Sequence, residues 1–267
     1  MAMSPRLLRP RASSALVAVD SAAKAYINAV RTADGGQYME AGVQRAIDAF
    51  VIGCKADGIW SAIKASCILM GARTLSGALV PLVGSAPTNN NFVSGDYNRK
   101  TGLVGNGTNK YLDSNRLGNA DPQNNVHLAV YASTVDTSSR AYLGVGGGEV
   151  GATTLGNSGS TTLFARCRSS DGDTEANYNA AGILGMSRSA SGSFVLRGGG
   201  ASTSKTRNSD GVLAQNFLVF AVRTGGGANA AFSFSRLAFY SIGESLTLAT
   251  LDTRVTALYN AIGAAIP

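Results

Sequence analysis

From Leu75 onward the chain is cut into short apolar or alternating stretches by Gly, Asn, Ser and Pro, and this punctuation constrains the fold more than any other feature. Helices of ordinary length do not fit between such breaks, whereas strands of roughly four to eight residues do. Pro81, Pro87 and the asparagines at 89–91 end any helical pattern at the start of this region. Candidate strands cover residues 102–104, 110–113, 126–132, 141–145, 161–168, 182–188, 194–197, 217–223 and 232–242. Many short strands joined by glycine-bearing turns predict a mainly β protein, an antiparallel sandwich. Residues 217–222 are continuously apolar, as in a central strand covered on both faces.

The final segment adds a second constraint. Leu237, Phe239 and Ser241 alternate with Ala238, Tyr240 and Ile242 at strand period, and after Gly243 the spacing becomes helical. Leu248, Leu251, Val255, Leu258 and Ile262 form an apolar stripe that needs a surface to lie on. Upstream of the strands, residues 14–71 also read as helical. Asp20 is a capping residue for a segment bearing Ala23, Tyr26, Ile27 and Val30. A second helix carries Met39, Val43, Ile47, Phe50, Val51 and Cys54, and a third carries Trp60, Ile63, Cys67 and Met70. The expected organisation is a basic arm over residues 1–13, a helical attachment region over 14–74, and a sandwich with a C-terminal helix over 75–267. On this reading, deleting the first seventy residues leaves a folded sandwich.

Charge narrows the partners. Charged residues make up 15% of the chain, against about 25% in typical domains. The formal charge is +7, yet the basic residues are scattered apart from Arg6, Arg9 and Arg11. A nucleic-acid stripe would be denser, so nucleic acid is not expected as a partner, and Arg140, Arg166, Arg168, Arg188 and Arg197 read as outward strand positions. Arg6, Arg9 and Arg11 fit an arm that docks on an acidic partner. Cys54, Cys67 and Cys167 are odd in number and lack CxxC spacing, which favours buried thiols over zinc or disulfides. The apolar run at 15–19 is too short for a membrane span and stops at Asp20, so synthesis and assembly in a cytoplasm are expected.

Partial enzyme motifs fail in context. Ser61 and Lys64, followed by Lys100-Thr101-Gly102, have the residue types of a serine–lysine acyl-transfer site in the wrong order and spacing. Gly146, Gly148 and Gly151 match G-x-G-x-x-G, but the residues after them do not open a helix that could hold a phosphate. His127, the sole histidine, alternates with Val126 and Leu128 and reads as structural. Asp171, Asp173 and Glu175 place carboxylates at alternate positions, as a calcium loop does, without the complete signature; a solvated surface loop is the simpler reading. Sugar binding calls for exposed aromatic rings beside amides and carboxylates. Tyr97 with Asp96 and Asn98, and Tyr178 with Asn177 and Asn179, are the candidates, and the same loops suit protein contacts.

Three stretches, residues 102–113, 216–223 and 237–259, resemble in order the opening pair, buried strand and closing strand-plus-helix of the concanavalin-A-like, laminin-G-like jelly roll. The resemblance implies a jelly-roll sandwich preceded by a small helical region and closed by a helix. The whole chain also resembles a group of bacteriophage virion proteins, through residues 53–60 (Gly53 to Trp60), 91–100 (Asn91 to Lys100) and 239–246 (Phe239 to Leu246). That implies a non-enzymatic component of a phage particle, a tail-fibre, tail-tip or head-decoration protein. It would be held by its arm and helices to other virion proteins, as a homotrimer. A lectin-like module for host surface glycan is the alternative, and a polysaccharide depolymerase the third reading.

Overall fold

The computed structural model describes residues 18–267; Arg6, Arg9 and Arg11 lie outside the described residues. The Asp20 carboxylate accepts from the N–H groups of Ala22 (2.8 Å) and Ala23 (3.3 Å) and so starts helix α1 (Ser21–Ala33). Ala23, Tyr26, Ile27 and Val30 form its buried face, at the spacing the sequence predicts. Helix α2 (Ala41–Ala56) buries Val43, Ile47, Phe50, Val51 and Cys54, and a short α3 (Leu75–Ala78) follows. The last helix, α4 (Leu248–Ala265), buries all five residues of its stripe.

The strands begin with β1 (Ile63–Ile68), β2 (Pro81–Val83), β3 (Thr88–Asn90), β4 (Tyr97–Asn98), β5 (Gly102–Val104) and β6 (Tyr111–Leu117). Next come β7 (Val126–Thr134), β8 (Arg140–Val145), β9 (Thr153–Asn157), β10 (Leu163–Cys167), β11 (Asp173–Glu175) and β12 (Gly182–Arg188). The last six are β13 (Ser193–Gly198), β14 (Ala201–Thr206), β15 (Asn216–Val219), β16 (Val222–Arg223), β17 (Asn229–Ala230) and β18 (Arg236–Gly243). One sheet runs β14-β13-β12-β7-β18-β1-β2, with β5 on the first residues of β18 and β4 on β5. The other runs β11-β10-β9-β8-β15-β6-β3, with β16 on β8 and β17 on β16.

The two sheets face each other as an antiparallel jelly-roll sandwich. Leu128, Val130, Leu184, Tyr240 and Ile242 of the first meet Leu143, Leu155, Leu163, Phe217 and Val219 of the second. The opposite face of the first sheet is also apolar, and the helices lie on it. Ile27, Ile47, Phe50, Leu251 and Val255 pack with Tyr131, Ile183 and Phe239. The Phe50 and Phe239 rings meet edge to face at 5.8 Å, and Tyr131 stacks on Tyr259 at 4.4 Å. Three layers result: helices, first sheet, second sheet. Cys54, Cys67 and Cys167 are free and buried, and burial pushes their thiols up to about 12, about 12 and about 11.

Several sequence expectations change. The third helix does not form: a 3-10 turn at Trp60–Ala62 leads into β1, which pairs with β18 and β2. Ile63 and Ile68 join the helical layer while Ala65 and Cys67 face the sandwich interior, so both faces are apolar and no alternation marks the strand. A truncation at residue 70 would therefore remove a strand of the first sheet. The apolar run at 217–222 is likewise not one strand. Phe220 has φ +70°, a left-handed backbone, and the chain turns back there so that β16 runs parallel to β8.

Arg168 and Arg188 do not point outward, because both are fully buried. Arg168 donates to the carbonyls of Gly118 and Asp121. Arg188 donates to those of Cys167 (2.8 Å), Ala190 (3.0 Å), Ser191 (2.8 Å) and Arg207 (2.9 Å). Carbonyls at the end of β10 and in the loops around it are joined this way.

Candidate functional site

The first sheet carries a cavity of ≈ 510 Å³ beside the start of α4, lined mainly by serines and small apolar groups, and the outer face of the second sheet carries a cleft bearing charged and aromatic side chains. Its floor is β8 and β9. A Cβ on Gly144 would lie 2.7 Å from Thr154 Oγ1, and one on Gly156 would lie 2.3 Å from the Arg140 carbonyl oxygen. Glycine at both positions lets the strands close across a register shift between Ala141 and Leu143, and leaves the floor low. One wall is β10, where Phe164 and Arg166 alternate with the inward Leu163, Ala165 and Cys167. The other wall is the β16–β17 hairpin, turned back over the sheet by the bend at Phe220. Arg140, Thr154, Asn157, Phe164, Arg166 and Thr224 line the resulting cleft of ≈ 300 Å³.

A polar network beneath one end holds this geometry. Ser233 and Ser235 are fully buried while Phe234 between them is 52% exposed, so the segment turns its serines inward and its aromatic ring outward. Asp136, itself buried, accepts from the Phe234 N–H (2.7 Å) and the Ser233 hydroxyl (3.3 Å). The Asp136 carbonyl accepts from Asn157 Nδ2 and Asn179 Nδ2, each at 2.8 Å, and Asn157 Oδ1 accepts from the Arg140 N–H at 2.9 Å. The Arg140 guanidinium then lies over the Phe234 ring, 5.7 Å from its centroid. Across the cleft, Arg166 lies over Phe164 at 4.7 Å.

The glycine-rich stretch Gly146, Gly148 and Gly151 is the turn between β8 and β9, and all three adopt positive φ. No helix follows it, as the sequence predicts; the strand that does, β9, is not among the candidate strands, and Glu149 staples the turn. The Glu149 carboxylate accepts from the N–H groups of Gly147 (2.5 Å), Gly148 (3.1 Å) and Gly225 (2.7 Å). Burial would raise its pKa, but these main-chain donors outweigh that and hold the carboxyl below the usual range.

The ligand-binding and calcium candidates singled out from sequence lie elsewhere, and all but the exposed Asn177 are engaged within the protein. Tyr97 is partly buried, and its hydroxyl donates to the Ala72 carbonyl at 2.8 Å; burial raises its pKa. Asp96 takes Lys110 at 2.5 Å, and Asn98 Oδ1 accepts from the N–H groups of Lys100 and Thr101 in the β4–β5 turn. Asn177 sits at φ +64°, and the Tyr178 hydroxyl pairs with Thr203 Oγ1 at 2.6 Å. Asn179 is a buried strut that accepts from the Tyr142 hydroxyl (2.5 Å). The two tyrosine loops are not brought into one site, since one belongs to β4 and the other precedes β12.

Asp171, Asp173 and Glu175 do not surround a shared point. Arg207 meets Asp171 (3.2 Å) and Asp173 (2.9 Å), and Lys205 meets Glu175 (2.5 Å). No group of three or more His, Cys, Asp or Glu among the described residues could hold a metal ion. His127 is fully buried; its Nδ1 donates to the Glu244 carbonyl (2.5 Å) and its Nε2 accepts from the Ser241 hydroxyl (2.7 Å). Among the described residues no helix is long and apolar enough to cross a membrane. Sequence reasoning missed Phe164 and Phe234. The readable signal was Phe232-Ser233-Phe234-Ser235, an alternation that puts aromatics on one face and hydroxyls on the other.

No protein-family model matches the chain, and no curated protein matches it. Among solved structures, the botulinum neurotoxin serotype D binding domain is similar over 73% of this chain and 51% of that one, at 9% identity and a TM-score of 0.50. The NanB sialidase of Streptococcus pneumoniae is similar over 56% of this chain, at 13% identity and a TM-score of 0.44, and 26% of the sialidase chain is covered. The CBM40 of the Ruminococcus gnavus IT-sialidase, solved with α2,3-sialyllactose, is similar over 48% of this chain and 81% of its own, at 10% identity and a TM-score of 0.39. The chain thus spans about a quarter of the sialidase and about half of the toxin chain. At such identity the likeness to the toxin binding domain is one of fold alone. The cleft itself offers the Phe164 ring, guanidinium N–H groups and the Thr224 hydroxyl, a set suited to holding a polar ring compound.

Proposed function

We propose that the chain is a non-catalytic, lectin-like module that binds host surface glycan in the cleft between β10 and the β16–β17 hairpin. The carrying observation is the meeting of Phe164 and Arg166 with Arg140 and Thr224 around a glycine floor. Sugars stack their C–H faces on aromatic rings and their hydroxyls take directional hydrogen bonds, and both partners are present here. The one histidine is buried and committed on both ring nitrogens, so it is not available to this cleft as an acid–base group. A glycan array probed with the full chain tests this. Phe164→Ala is expected to weaken the best binder about tenfold, the equivalent of one lost stacking contact. A folded protein that binds no glycan at high concentration, or an unaffected Phe164→Ala, would sink the reading.

A second reading concerns where the module is carried: in a phage particle, as tail-fibre, tail-tip or head-decoration protein. Its support is the sequence resemblance at residues 53–60, 91–100 and 239–246. On this reading the N-terminal arm and helices attach a homotrimer to other virion proteins, assembled in the host cytoplasm. Replacing Arg6, Arg9 and Arg11 together by alanine should then abolish incorporation into particles while leaving glycan binding intact. Normal incorporation of that variant removes the arm from the attachment.

A further inference from the structure

The two arginines of the cleft carry charge that the protein leaves uncompensated. Arg197, Arg207, Arg223 and Arg254 each meet a carboxylate within 3.2 Å. Arg140 and Arg166 form no ion pair among the described residues. The Arg140 side chain makes no hydrogen bond there at all, and its buried Nε–H has no acceptor. Arg166 engages only its Nε, with the Ser170 carbonyl at 3.0 Å. Glu149, the carboxylate at the glycine-loop end of the cleft, is already taken by three main-chain N–H groups. A buried donor without an acceptor, as at Arg140 Nε, is unfavourable unless a ligand completes it, and the half-buried Arg166 beside the same cleft keeps its Nη groups free.

The geometry also says which part of each guanidinium is offered. Each lies over an aromatic ring, Arg140 on Phe234 and Arg166 on Phe164, so its face is occupied and its N–H edge is left for a partner. A planar carboxylate matches such an edge with two parallel hydrogen bonds. We propose that the cleft selects a carboxylate-bearing sugar residue, its carboxylate meeting the Nη donors of Arg140 and Arg166 while the apolar face of the ring lies on Phe164. This rests on the glycan-binding reading of the same cleft and adds the charge class of the ligand.

The test uses the full chain on an array of neutral, sulfated and carboxylate-bearing glycans, with every acidic glycan also present in carboxyl-reduced form. The expected result is that the strongest binders carry carboxylates and lose at least tenfold in affinity on reduction. Arg140→Gln and Arg166→Gln should each lose tenfold or more and flatten the salt dependence of binding. Arg45→Gln, which removes an equal charge from the exposed face of α2, should change nothing, and an equal loss there would trace the effect to net charge and overturn the proposal. Binding that is equal for reduced and unreduced forms, or stronger for sulfated glycans than for carboxylated ones, overturns the carboxylate assignment and leaves the glycan-binding reading standing. Binding to no glycan overturns both. Thermal unfolding of each variant separates lost affinity from lost fold.

Discussion

At the scale of single residues, His127 links the sandwich to pH. A carbonyl can only accept, so the contact with Glu244 fixes the proton on Nδ1, and Nε2 accepts from Ser241. Burial pushes the imidazole down to about 4, against a partly opposing pull from the Glu244 carbonyl. The folded pKa is thus below the unfolded value of about 6.5. The unfolded chain then binds the extra proton between those values. Stability from the neutral ring is complete above about pH 6.5 and is lost as pH falls towards 4, by about 3 kcal/mol in all. Urea unfolding at pH 7 and pH 5 should show a drop in the wild type about 2 kcal/mol larger than in His127→Gln; equal drops would mean that the native ring is charged. Sequence pattern was sufficient for this residue, because its apolar strand neighbours implied burial. It was insufficient for the arginines. Arg140 and Arg166 do point outward, but Arg168 and Arg188 at comparable positions turn inward to carbonyls at the end of β10 and in the loops around it. Those carbonyls exist only once loops from distant parts of the chain have met. The polar neighbours of Tyr97 and Tyr178 in sequence are taken up inside the fold, Asp96 by Lys110 and Asn179 by Tyr142 and Asp136, whereas the ring that lines the cleft, Phe164, comes from β10.

At the scale of elements, α4 is the piece whose role the sequence made plainest. Its stripe lies between α2 and the first sheet, and Arg254 with Asp57 (2.6 Å) and Arg197 with Asp252 (2.6 Å) tie it to both neighbours. Leu251 is fully buried at the centre of that contact. Leu251→Ala is expected to destabilise the protein by roughly 2 to 5 kcal/mol, through lost transfer energy and a residual cavity. The exposed Thr253→Ala should stay within about 0.5 kcal/mol, and chemical denaturation compares them. A similar cost for both would mean that α4 is peripheral. Elements were legible where a periodic face met solvent on its other side, as in α1, α2 and α4. They were not legible where both sides are covered. In β1 the spacing of Trp60, Ile63, Cys67 and Met70 imitates a helix because a doubly buried strand has apolar residues at every offset. The bend at Phe220 left no mark either, since nothing in an apolar run shows that one non-glycine residue is held left-handed by the N–H of Ser233 and the carbonyl of Tyr142.

At the scale of the whole molecule, the helical layer and the sandwich are joined by shared packing. β1 stands between β18 and β2, and on its β18 side its partners run from Phe239 to Gly243. The Phe50 ring meets Phe239, and α4 bridges α2 to β12. Residues 18–70 therefore supply a strand of the first sheet and much of the cover for its outer face. Cutting them away would leave β18 with an unpaired edge and would expose Phe239 and Ala238 to water, a combination that invites edge-to-edge association. A chain of residues 71–267 is thus expected to be insoluble or to lack a cooperative transition. A chain of residues 18–267 keeps every contact described above and should unfold in one step with its glycan affinity unchanged. Circular dichroism in the near ultraviolet and thermal unfolding of the two chains decide the matter. A soluble, cooperatively folding 71–267 fragment that still binds glycan would mean that the helices are an appendage after all. Failure of that fragment alone would tie the display of the cleft on one face to the helical layer that covers the other.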